Sequence, residues 1–108
     1  MNECRIREIY QRSLDTNRAT FAEGEYDIAY YLLLVALQCA QRLRDAEYLT
    51  EITRLAEKES RFIDDHHPEY VFSSKAAIRR GTLGLFQTAA LKARAIIGTK
   101  NGNRGHFA

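Results

Sequence analysis

The chain has one proline and six glycines among its 108 residues. So few turn-forming residues argue against a many-turned β fold and favour long helices. It has two cysteines, Cys4 and Cys39. Without a secretion signal these are expected to be reduced thiols rather than a structural disulfide, with Cys39 packed as a small hydrophobe. No apolar run approaches the roughly twenty residues a bilayer span requires. The opening residues, MNECRIREIYQRS, are charged and amphipathic rather than a signal-peptide core. A cytoplasmic protein with no membrane partner is the expectation. Motifs that carry chemistry are also missing. There is no GxSxG elbow, no phosphate-binding glycine loop and no ExxH pair for a di-iron bundle. Neither an enzyme nor a cofactor is therefore expected.

Acidic residues are absent beyond Glu69, so charge divides the chain. Residues 1–69 hold all fourteen acidic side chains and nine basic ones, whereas residues 70–108 hold seven basic ones. Two explanations fit this split. The last helix packs beside acidic helices of the same domain, or it forms a surface for anions or nucleic acid.

What is present is helical periodicity. The stretch from Ile28 to Leu37 is apolar or aromatic at every position. A helix apolar all round is buried on most sides, so this one is expected at the centre of the domain. The first helix is read over 5–22, with Ile6, Ile9, Tyr10, Leu14 and Phe21 as its stripe. Ser13 and Asn17 weaken that stripe. Gly24 closes it. The second helix runs from Tyr26 or Asp27 to about Arg44, and the short turn makes the pair an antiparallel hairpin.

Asp45 is an N-cap for a third helix over 46–66, with Leu49, Ile52, Leu55, Ala56, Phe62 and Ile63 as its apolar stripe. Glu47, Glu51, Arg54, Glu57, Lys58, Glu59 and Arg61 are read as its wet side, with Glu57–Arg61 an attractive pair. Pro68 stops it. A fourth helix is read from Ser73 or Ser74 to Ile97, with Gly81 and Gly84 inside it. The whole is an all-α, four-helix antiparallel bundle over residues 1–98, followed by a polar, glycine-rich tail at 99–108.

Gly24, Tyr26, Ala29 and Ala36–Leu37, in the pattern G-x-Y-x-x-A-x6-A-L, resemble the turn and second helix of a tetratricopeptide repeat (TPR). The resemblance implies that the glycine makes the turn, the tyrosine fills the space between helices, and the alanines admit the partner helix closely. The first helix departs from the repeat at Ser13, Thr16 and Asn17, and Lys58 stands where a second copy would place glycine. A single unit cannot bury its own apolar faces. The remaining helices or a second chain must cover it.

The resemblance implies a protein-interaction module, and the surplus of apolar helical faces adds self-association to a homodimer. Helices one and four are the expected contact with the second copy. The alternative is a regulatory protein that binds an anionic ligand or nucleic acid through Lys75, Arg79, Arg80 and Arg94 on helix four. Tyr70 and Phe72, in the connector before that helix, are candidates for a docking patch. Asp64–Asp65–His66–His67 has metal-ligand residue types, but neither histidine has a ligand four residues away. It reads as a solvated helix end rather than a metal site.

Overall fold

The computed structural model describes residues 2–67, 69 and 91–97, and the fold is all-α. Three helices follow one another: α1, Glu3–Ala22; α2, Tyr26–Leu43; and α3, Ala46–His66. Residues 91–97 are also helical. The rest of the expected fourth helix, with Gly81 and Gly84, and the expected tail at 99–108 lie outside the described residues.

Each boundary has a chemical cause. Helix α1 starts two residues before the expected position, because the Asn2 side chain caps it by accepting from the Arg5 N–H at 2.9 Å. It ends at Gly24, whose φ of 83° lets the Gly24 N–H reach the Phe21 carbonyl and the Glu25 N–H reach the Thr20 carbonyl. This is the paired closure that a left-handed residue makes possible. The space around Gly24 is open, so a side chain there is opposed by backbone conformation alone. Gly24→Ala is expected to lower stability by about 1 kcal/mol without changing the helical circular-dichroism signature.

Arg44 closes α2 in the same way, at φ 53°. Asp45 caps α3 by accepting from the Tyr48 N–H at 3.1 Å, as expected from sequence. Helix α3 ends at His66, immediately before the His67–Pro68 step.

Successive helices alternate in direction, so α1 and α3 run parallel. Their contacts climb the two helices in step. Arg7 pairs with Asp45 at 3.0 Å, Tyr10 stacks on Tyr48 at 3.8 Å, Asn17 donates to Glu59 at 3.1 Å, and Phe21 meets Phe62 edge-on at 5.5 Å. The Tyr10 hydroxyl also donates to Glu51 at 2.5 Å. Burial first, and then this hydrogen bond to a carboxylate, push the Tyr10 pKa well above the ordinary phenol value.

The core is built from Ile6, Tyr10 and Leu14 of α1, Leu33, Ala36, Leu37 and Ala40 of α2, and Leu49, Ile52, Ala56 and Ile63 of α3. Ala93 joins it, and Ile96 and Ile97 pack against it. Cys39 is buried, as expected, and Cys4 is exposed.

Three expectations are corrected. Helix α2 is not enclosed on most sides: Ile28, Tyr31 and Val35 are 47%, 63% and 42% exposed. Among the described residues α2 has α1 and α3 as its main helical neighbours and uses only part of its circumference, and a wholly apolar sequence does not reveal this. Glu59, assigned to the wet side of α3, is buried at 3% exposure. Asn17, read as a flaw in the stripe, is completely buried and donates both to Glu59 and to the Ala29 carbonyl at 2.7 Å. One α1 side chain thus joins all three helices. A smaller difference concerns Glu57. Its carboxylate pairs with Arg94, while Arg61 donates to the Glu57 backbone carbonyl instead.

Candidate functional site

Of the residues singled out by the TPR-like pattern, Gly24 and Tyr26 lie at the α1–α2 turn. Tyr26 is buried there, with its ring 4.8 Å from Phe21 and 5.6 Å from His67. Ala29 and Ala36 are fully buried, one and three turns into α2. Small side chains at such positions allow helix axes to approach closely.

The basic set expected on helix four is represented among the described residues by Arg94. Its guanidinium is joined to Glu57 of α3, which matches a basic last helix packed beside acidic neighbours. Lys75, Arg79, Arg80, Tyr70 and Phe72 lie outside the described residues. At the end of α3, His66 stacks on Phe62 at 4.2 Å, and its Nδ1 lies 3.0 Å from the Phe62 carbonyl. No group of three metal-ligating side chains occurs among the described residues. No helix among the described residues is long and apolar enough to cross a membrane.

Two surfaces emerge that the sequence did not assign. The first is the outer face of α2. Its exposed residues are Asp27, Ile28, Tyr31, Val35, Gln38 and Arg42. At about 100° per residue they fall within one arc of about 100°. The face therefore has an acid at its start, three large apolar side chains from Ile28 to just past its middle and a base at its end. Helix α1, by contrast, exposes no large apolar side chain. Its apolar residues are spent on the core, so the expected self-association through helix one has no surface there.

The second surface is the side where α1 and α3 lie together. It has two depressions that share Arg18, Leu55 and Lys58. The larger, about 780 Å³, is lined mainly by charged and polar side chains of α3, from Ala46 to Lys58. The other, about 540 Å³, lies between Phe21, Tyr26 and Phe62 and has Glu59 in its wall. Burial pushes the Glu59 carboxyl up to about 7, against weaker opposing effects of the Asn17 hydrogen bond and of Arg18 and Lys58.

The signal for Glu59 and Asn17 was present in their spacing. Glu59 is three residues after Ala56 and four before Ile63, and Asn17 is three after Leu14. Their polarity argued against burial, and only the partner helix supplies the group that makes burial tolerable. No protein-family model, curated protein or solved structure matches this chain.

Proposed function

We propose that this chain is a small non-catalytic, TPR-like protein-interaction module that acts by pairing with a second copy of itself through the outer face of α2. The observation that carries the reading is the exposed row Ile28, Tyr31 and Val35 on one helix face. Scattered exposed apolar residues are ordinary, but a contiguous row with polar ends is the pattern of a contact surface.

The charge order on that face selects the occupant. With the two-fold axis perpendicular to the helices, two copies of α2 run antiparallel, which brings Asp27 of one copy towards Arg42 of the other. The apolar residues then lie between the ion pairs. A surface of this kind is self-complementary, as a two-fold interface must be. The Gly24 turn, the buried Tyr26 and the small Ala29 and Ala36 support the TPR-like part of the reading. So does the parallel arrangement of α1 and α3, because stacked helical hairpins place their first helices side by side.

Light scattering on the eluting protein tests the pairing. The expected result is a particle of twice the 12.4 kDa chain mass, insensitive to salt. Tyr31→Asp combined with Val35→Asp is expected to give a monomer with unchanged helicity, because both side chains are exposed. A monomeric parent chain at micromolar concentration, or a dimer that survives both substitutions, would overturn the proposal. The anionic-ligand alternative predicts a gain of mass with nucleic acid at low salt that disappears as salt is added.

A further inference from the structure

The cavity between α1 and α3 has a composition that the α2 contact does not use. Its apolar lining includes three aromatic rings, Phe21, Tyr26 and Phe62. Phe21 lies 4.8 Å from Tyr26 and 5.5 Å from Phe62, both inclined, so the three form one connected cluster. Phe62 is 40% exposed although it belongs to this cluster, and His66, which also lines the cavity, stacks on its ring at 4.2 Å.

The volume of about 540 Å³ lies within the range of small-molecule sites. The adjoining depression has no comparable aromatic cluster, so the apolar part of the surface is compact rather than a long groove.

The polar groups are equally specific. Arg18, Lys58 and Arg61 line the cavity together with one exposed acid, Asp65. Among the described residues Arg18 pairs with the exposed Asp15 at 3.8 Å, a pairing of little strength. Lys58 makes no ion pair among the described residues. Glu59 is the inner polar wall, and Asn17 donates to one of its oxygens. In its neutral form Glu59 adds a hydrogen-bond donor without adding negative charge. The cavity thus offers rings for a flat apolar body and an excess of cations for a negative group.

We infer that this cavity is a binding site for a small aromatic carboxylate, its ring held against Phe21, Tyr26 and Phe62 and its carboxylate met by Arg18, Lys58 and Arg61. The ring gains burial and inclined aromatic contacts. The carboxylate gains charge-assisted hydrogen bonds, which arginine forms in a planar, two-pronged geometry. An aromatic amine of the same size meets three cations against one exposed acid, Asp65, and is disfavoured, so selectivity rests on the balance of charge. The site includes none of the exposed α2 residues of the self-pairing face and stands or falls independently of it.

The test is a titration of the isotope-labelled full chain with indoleacetate, followed by proton–nitrogen correlation spectra at about pH 6, where Glu59 is mainly protonated. Tryptamine supplies the same ring with the opposite charge, and acetate supplies the carboxylate without the ring. Saturable shifts of the Phe21, Tyr26, Glu59 and Phe62 amides with indoleacetate, and with neither comparator, are the expected result. Lys58→Glu with Arg61→Glu is expected to weaken binding by about tenfold or more while the spectrum stays dispersed. Lys58→Ala gives the same direction if the double variant does not fold. Absence of saturable shifts, shifts mapping to another face, equal binding of tryptamine, or affinity indifferent to the cation substitutions would each overturn the assignment.

Discussion

At pH 8 the Glu59→Gln variant unfolds at a higher urea concentration than the parent chain, and below about pH 4 the two unfold together. This expected result follows from the buried position of one carboxyl group. Glu59 is 3% exposed, and its folded pKa is about 7, against an ordinary value of 4.5. Between those values the folded chain keeps a proton that the unfolded chain releases. Stability therefore falls as pH rises from about 4.5 to 7 and is flat above, because the native state is the one that binds more protons.

A displacement of this size corresponds to about 3 kcal/mol, a large share of the 5–15 kcal/mol that typically holds a small domain together. Glutamine has the same shape and no charge, so it removes the slope. Its amide oxygen can still accept from Asn17 Nδ2, as the carboxyl does. Parallel pH–stability curves for the two proteins would show that Glu59 is solvated and that the α1–α3 junction is more open than described.

The second large effect concerns the orientation of α2. Leu33→Ala is expected to cost 2–5 kcal/mol, by loss of transferred surface and by the cavity left behind. The Leu33 side chain is fully buried, whereas Val35, two residues on, is 42% exposed. Val35→Ala is therefore expected to change stability by no more than about 0.5 kcal/mol when measured on the monomer. Denaturant unfolding below the concentration at which the chain pairs separates the two. The Leu33 variant loses midpoint with its slope unchanged, and the Val35 variant keeps both. Equal losses would mean that α2 is rotated from the described position and that its outer face is not the contact surface.

These two experiments probe features that were only partly legible. The run from Ile28 to Leu37 announced a helix, but a continuous apolar run carries no phase. Whether Leu33 or Val35 faces inward depends on which sides of α2 its neighbours occupy. Glu59 and Asn17 had the spacing of core positions and the polarity of surface ones. Spacing alone could not decide, since their burial is made tolerable by partners from other helices: Glu59 by Asn17, forty-two residues away, and Asn17 by Glu59 and the Ala29 carbonyl.

The sequence by itself determined the local elements. Gly24 and Asp45 fixed two helix ends because positive φ and N-capping are properties of one residue and its immediate neighbours. The paucity of proline, with apolar residues at helical spacing, determined the all-α class. The tertiary structure decided everything that requires two helices to meet. It joined Arg94 to Glu57, placed a carboxyl beside an amide in the core, gathered three aromatic rings around a cavity, and left one face of α2 exposed. The physical reason is one of range. Caps and helical periods act over a few residues, whereas burial, and with it charge state and surface exposure, is set by side chains brought together from distant parts of the chain.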